Sequence, residues 1–138
     1  GRRVRHQQPQ RHQELRLRAV LQLSTPVGPY SPIVRAGDWL VTSGQIALSG
    51  TALVEGGVEA QTRQCLANLS DVLGSEGASL GDVVRTTVYL QDMGDFAVMN
   101  AVYAAAFGDH RPARATVGVA ALPLGALVEV DAWAWVGG

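Results

Sequence analysis

The sequence contains no lysine, because all 11 of its basic residues are arginine. Schiff-base catalysis and covalent binding of pyridoxal phosphate both need a lysine amine. The phosphate-binding P-loop needs its lysine as well. The composition therefore excludes these three kinds of site before any position in the chain is considered.

Cysteine and histidine are also scarce. The one cysteine, Cys65, cannot form an intrachain disulfide, which is consistent with a reducing compartment, and we expect the protein to be cytoplasmic. The three histidines stand far apart at positions 6, 12 and 110, so we expect no metal site built from them. No apolar run approaches the roughly 20 residues that cross a bilayer.

The first 18 residues differ in composition from the rest of the 138-residue chain. They hold six of the 11 arginines and one acidic residue, Glu14, and so carry about +5 charges. Such a composition cannot form a core, and we interpret residues 1–18 as a flexible extension to one domain at 19–138. It serves as a nucleic-acid arm, as an organelle transit peptide, or as an extension without function; the sequence leaves these alternatives open.

Hydrophobic periodicity predicts two helices among several strands. The helices span 58–76, with Cys65 on the buried stripe, and 93–107, with Phe96, Met99, Tyr103 and Phe107 toward the core. The predicted strands run from 15 to 23, 33 to 35, 39 to 46 and 83 to 90, and a final hairpin lies within 112–136. Two helices in this order cover one face of a mixed sheet, which is a two-layer α+β fold.

The loop before the first hairpin and the strand after it each hold an unusual residue. Segment 24–32 carries three prolines, which make a stiff extended loop. Tyr30 in this loop either packs on the sheet or holds its hydroxyl over a pocket. Gly44 lies inside a predicted strand, where it is costly unless another chain, a bulge or a ligand approaches its backbone.

The stretch from 112 to 129 is small or apolar apart from one arginine, Arg114, and a glutamate at its end, Glu129. We interpret it as two strands joined by a turn at Pro123 and Gly125. A largely buried arginine keeps its proton and therefore needs an anion nearby. That anion is either Glu129, in an internal ion pair, or the carboxylate of a ligand, and the sequence leaves both alternatives open.

The last predicted strand alternates between two faces. Every second residue from Val128 to Val136 forms an apolar face for the helices. The opposite face carries Glu129, Trp133 and Trp135, and no helix remains to cover it. Two tryptophans on an uncovered face imply a partner, and self-association into a closed ring with clefts between subunits supplies one most simply.

The polar groups that remain suit hydrolysis of a small organic acid. The fork of Arg114 can hold a carboxylate bidentately. A carboxylate in a partly dry cleft, such as Glu129, can have a raised pKa and activate water. The groups available to place that water are Tyr30, Ser43, Gly44, Asn100 and Thr116.

Five segments carry a resemblance to a known family. They are Gly28-Pro29-Tyr30-Ser31-Pro32, Ser43-Gly44-Gln45-Ile46, Val88 to Met93, Phe96 to Asn100 with Tyr103, and Pro112 to Glu129. In this order, and over about residues 25–136, they resemble the RidA/YjgF family of reactive-intermediate (enamine/imine) deaminases. The resemblance implies a chorismate-mutase-like fold, with a mixed six-stranded sheet and two helices on one face. It also implies a homotrimer with three interfacial clefts.

The activity that the resemblance implies is hydrolysis of 2-iminobutanoate and 2-iminopropanoate, or their enamines, to 2-keto acids and ammonia, without a metal or organic cofactor. The resemblance implies that Arg114 falls at the carboxylate-binding position that marks active members, and that Thr116 stands where many relatives have cysteine or another small polar residue. The other cleft positions fall on Tyr30, Ser43, Gly44, Asn100 and Glu129.

Two other classes of function stay open. One is a non-catalytic trimeric module that binds small ligands or acts as a chaperone, since one fold can host several functions. The other is RNA binding or cleavage, which the basic extension suggests. The presence of Arg114 favours the enzyme over the first, and no feature suggests a membrane partner.

Overall fold

The computed structural model describes residues 28–138. The extension at 1–18 and the strand expected at 15–23 therefore lie outside the described residues. Seven strands and two helices follow in chain order: β1 Ile33–Ala36, β2 Trp39–Thr42, β3 Leu48–Ser49, β4 Ala52–Leu53, α1 Gly57–Gly74, β5 Val83–Leu90, α2 Phe96–Phe107, β6 Ala113–Gly118 and β7 Val128–Trp135. Neither helix has the length and apolarity that a bilayer crossing requires within this part of the chain.

Five of the strands form one mixed sheet in the order β1-β2-β7-β5-β6. The pair β5 and β6 is parallel and the other neighbours are antiparallel. The predicted α+β class with a mixed sheet is confirmed, and the described part of that sheet has five strands. The short β3–β4 hairpin, which the sequence did not predict, stands apart from it.

The predicted final hairpin is wrong. Its two strands, β6 and β7, do not pair with each other, because β5 lies between them and bonds to both. Residues 119–127 carry the chain across β5, and the predicted turn there is a short 3-10 segment, Pro123–Gly125. Arg114 and Glu129 are therefore on strands that are not neighbours.

The core lies between the two helices and one face of the sheet, which we call the covered face. On β7 the alternation is as predicted, because its covered-face residues are fully buried, and these are Val128, Val130, Ala132 and Ala134. Cys65 is buried there too, and burial raises the pKa of its thiol to about 12. The prediction that Cys65 is a core residue rather than a nucleophile is confirmed.

The opposite face of the sheet, which we call the open face, is not covered by a helix among residues 28–138. Trp39 lies against Trp133 and Trp135 there, with ring centroids 6.0 and 5.0 Å apart and the rings edge to face. All three side chains keep more than a third of their surface exposed. An aromatic cluster of this size on a bare sheet is a candidate contact surface.

Candidate functional site

Arg114 projects from β6 on the covered face. Its register partner on β5 is Thr86, which is fully buried. The Nη2 group of Arg114 donates a hydrogen bond of 2.7 Å to Oδ1 of Asn100 on α2. The guanidinium carbon lies 4.7 Å from the centre of the Tyr103 ring and 5.7 Å from that of Phe96, so the cation stacks on aromatic side chains of the same helix.

The guanidinium of Arg114 has no carboxylate partner among residues 28–138. The ion pairs in this range join Arg35 to Glu76 and Arg63 to Glu59, so no acidic oxygen lies within 4.0 Å of Arg114. The alternative in which Arg114 forms an internal ion pair with Glu129 is therefore wrong. Its physical reason is that Glu129 lies on the open face, two strands away and on the other side of the sheet.

Glu129 is half-buried on β7, opposite Tyr89 of β5. A Cβ added to Gly44 would lie 2.7 Å from its Cδ atom, so the carboxylate rests on the Gly44 backbone. This contact is the close approach that an in-strand glycine predicted, although β2 ends at Thr42 and Gly44 belongs to the segment that follows. The paired backbone groups of Gln45 and Val130 hold the two segments together.

The pKa of Glu129 is raised above its usual value, first by burial and then by the negative charge of Asp131. Asp131 follows two positions later on the same face and accepts a hydrogen bond of 2.9 Å from the Tyr89 hydroxyl. Sequence analysis missed this Tyr89–Asp131 pair, which the strand register alone reveals. A carboxylate whose pKa is raised is a stronger base than an ordinary carboxylate and is suited to accept a proton.

Ser43 precedes Gly44 and contacts the loop that carries Tyr30. The Ser43 hydroxyl donates a hydrogen bond of 2.6 Å to the carbonyl of Ser31, and its backbone N–H donates to Pro32 at 2.9 Å. The proline-rich loop is thereby tied to the end of β2. The Tyr30 side chain is 46% exposed, and its ring lies against Gly28 of the same loop.

Thr116 lies two residues after Arg114, on the same face of β6. Its hydroxyl oxygen is buried and has no hydrogen-bond partner within residues 28–138. A buried hydroxyl without a partner is costly unless something else bonds to it. Arg114, Asn100 and Thr116 thus form one group on the covered face, and Ser43, Gly44 and Glu129 form another on the open side.

Two other sequence features have structural roles. His110 lies in the loop before β6, and its Nε2 lies 2.6 Å from the carbonyl oxygen of Val83. Residues 77–81 match Gly-x-Ser-x-Gly, but they connect a helix to a strand, whereas a nucleophile elbow connects a strand to a helix. Ser79 there forms a capping box with Asp82. Within 28–138 no cluster of three or more His, Cys, Asp or Glu could hold a metal ion.

The mixed sheet, the two helices on one face and the bare opposite face define an α+β protein of the chorismate-mutase-like type. The family model described as Endoribonuclease L-PSP matches residues 21–136. The chain belongs to the family of that model, which is the RidA/YjgF family.

Individual relatives are similar over most of their length. A RutC family protein of Pyrococcus horikoshii is 46% identical over 112 residues, which are 80% of this chain and 89% of that protein. The 2-iminobutanoate/2-iminopropanoate deaminase of Escherichia coli is 42% identical over 110 residues, which are 77% of this chain and 86% of that enzyme. The crystal structure of RidA from an Antarctic Psychrobacter has a TM-score of 0.80 at 38% identity, covering 83% of this chain and 94% of that one.

Proposed function

We propose that this protein hydrolyses 2-imino acids, such as 2-iminobutanoate and 2-iminopropanoate, or their enamines, to 2-keto acids and ammonia. The observation that carries the proposal is the guanidinium of Arg114, which is held in place by Asn100 and Tyr103 but has no acidic partner within 28–138. A fixed cation without a counter-ion suits an incoming carboxylate. The named activity of the Escherichia coli relative supports the same reaction.

In this proposal Arg114 binds the substrate carboxylate and Glu129 activates water. Water adds to the carbon of the protonated C=N bond, and Glu129 takes up the proton that the water loses. Glu129 then gives this proton to the nitrogen and accepts the proton of the new hydroxyl group, so that the C–N bond breaks and ammonia leaves as the C=O bond forms. Thr116, Ser43 and Tyr30 supply hydroxyl groups, and the lack of a side chain at Gly44 leaves room for the Glu129 carboxylate.

The separation of the two charges supports a site that is shared between subunits. Arg114 is on the covered face and Glu129 is on the open face, so a cleft that contains both takes them from two copies of the chain. We propose a homotrimer, in which the open faces with their tryptophans meet and each cleft joins Arg114 of one subunit to Glu129 of the next.

The first test compares wild type with Arg114→Ala in an assay that generates the imine with threonine dehydratase and follows its decay. Loss of the cation and of a bidentate contact should lower kcat/KM by roughly 10- to 100-fold or more. Arg63→Ala is the matched control, because it removes an exposed arginine that pairs only with Glu59. Equal rates for wild type and Arg114→Ala would remove the catalytic role of this residue.

The second test mixes two inactive variants, Arg114→Ala and Glu129→Gln, after unfolding and refolding them together. In a trimer with sites shared between subunits, random assembly from equal amounts restores about a quarter of the sites. If one chain supplied both residues, no site would be restored. An inactive mixture of well-folded trimers would therefore contradict the shared site.

RNA binding is the second candidate, because the family model carries an endoribonuclease description and residues 1–18 hold six arginines. Full-length protein should then bind single-stranded RNA more tightly than a chain that begins at residue 19, with a steep dependence on salt. Equal, weak affinity for both proteins at two salt concentrations removes this candidate. A purely ligand-binding module would instead bind a 2-keto acid but leave imine decay unchanged.

A further inference from the structure

The Tyr103 ring, over which the Arg114 guanidinium lies, is itself held by a buried pair of hydroxyl groups. Tyr103, whose ring carries the cation, is only 5% exposed, and its hydroxyl lies 2.7 Å from Oγ1 of the fully buried Thr86. Each hydroxyl can be satisfied only by its partner here, so loss of either leaves the other unpaired in the core. The ring therefore has little freedom to tilt or slide.

Thr86 also fixes the backbone of Arg114. The two residues are register partners on the parallel strands β5 and β6. One threonine is thus joined to Arg114 in two ways, through the strand pairing and through the ring of Tyr103. The base of the side chain and the face on which its cation stacks are set by the same position on β5.

The third contact fixes rotation of the guanidinium. Asn100 accepts from Nη2 and occupies one of the five N–H donors that an arginine carries. The ring sets the plane in which the cation lies, and the amide sets its direction within that plane. Bidentate binding of a carboxylate depends on such an orientation, because two parallel hydrogen bonds must form together.

We propose that Tyr103 and Thr86 are positioning residues that hold the Arg114 guanidinium in the orientation that binds the substrate carboxylate. This inference rests on the proposed function, since it assigns their task to the same site. A purely structural hydroxyl pair would affect stability alone. A positioning pair also affects affinity for the carboxylate, and it affects KM more than kcat.

The test measures binding of 2-ketobutanoate by calorimetry, together with KM and kcat. Loss of the aromatic face in Tyr103→Leu should weaken binding by roughly 2- to 30-fold, the range expected for a cation–π contact. Tyr103→Phe and Thr86→Val keep the ring but break the hydroxyl pair that holds it, so each should weaken binding by less than Tyr103→Leu does; wild-type affinity in both would remove the hydroxyl pair from the positioning role. Leu40→Ala removes an equally buried side chain on β2, three strands from β6, and should leave affinity unchanged. Equal affinity in wild type and Tyr103→Leu overturns the inference.

A second readout does not require a ligand. In arginine-labelled protein, with the signal assigned by Arg114→Lys, the side-chain N–H resonance of Arg114 should show an upfield ring-current shift and slow rotation. Both should vanish in Tyr103→Leu and persist in Leu40→Ala. If the Arg114 resonance is the same in Tyr103→Leu as in wild type, the positioning role is overturned. If the signal responds but wild type binds no 2-keto acid, the proposed function fails while the positioning of the cation stands.

Discussion

Gly44 offers the sharpest test of the site, because one added methyl group would meet the Glu129 side chain. In Gly44→Ala the new Cβ would lie 2.7 Å from Cδ and 2.9 Å from Cγ of Glu129. Carbon atoms in contact normally stay about 3.5–4.0 Å apart, so the carboxylate must retreat by roughly 1 Å. A displacement of this size at a reacting group costs on the order of 100-fold in rate.

The same substitution should have little effect on stability. The φ angle of Gly44 lies outside the left-handed region, so alanine can adopt its backbone. Alanine restricts the unfolded chain, which stabilises by about 0.4–1 kcal/mol, and an off-rotamer Glu129 costs about 0.5–1.5 kcal/mol. These contributions nearly cancel, and we expect the free energy of unfolding to change by less than about 1 kcal/mol.

The assay compares kcat/KM for imine decay with the urea-unfolding free energy of the same protein. Gly74→Ala is the control, because a Cβ added at this last residue of α1 would meet nothing within 4 Å. Its activity should equal that of wild type. Wild-type activity in Gly44→Ala would refute the reasoning that Glu129 must sit against this backbone. A loss of more than about 3 kcal/mol would show instead that Gly44 is a packing position.

Two further predictions concern Glu129 and Thr116. The pKa of Glu129 is raised in the folded chain, so folding takes up a proton at pH values between the unfolded and folded pKa. The free energy of unfolding, compared with that of Glu129→Gln, should therefore fall as pH rises from about 4.5 through the raised pKa. Asp131→Asn should make this fall smaller, because it removes a neighbouring negative charge. Urea unfolding over a pH series measures both effects. If the stability–pH curves of wild type and Glu129→Gln stay parallel, the assigned cause is contradicted. Thr116→Val should leave the free energy of unfolding unchanged within about 1 kcal/mol, because the hydroxyl has no partner, but should raise KM by roughly 10-fold if the substrate bonds to it. An unchanged KM would remove Thr116 from the site.

Periodicity alone predicted much of this fold. The alternation along β7, the buried stripe of α1 with Cys65, and the first hairpin around Gly37 all depend on local spacing, and the structure has each of them. Gly44 was also informative, because a glycine where a side chain is expected indicates a close neighbour. The neighbour is the Glu129 side chain, which spacing could not identify.

Strand pairing could not be derived in the same way. The turn signals at Pro123 and Gly125 favour a hairpin, but β5 lies between β6 and β7 in the sheet and bonds to both. Insertion of a strand is a long-range choice that local turn residues do not encode. Phe96 was expected in the core and is 39% exposed, because it lies near Arg114 at the first turn of α2 rather than under the sheet.

The placement of the two charges decides what kind of site this chain can build. Arg114 and Glu129 lie on opposite faces of one sheet, and no side-chain rotation brings both onto a small ligand. The covered-face group is already fixed by α2, whereas the open-face group lies on a surface whose tryptophans are exposed. Since only the open face lacks a covering element within 28–138, that face is where a second copy can dock. In the proposed trimer a site with both charges exists only in the assembly, and substitutions that weaken the tryptophan cluster should then abolish the proposed hydrolysis without touching either residue.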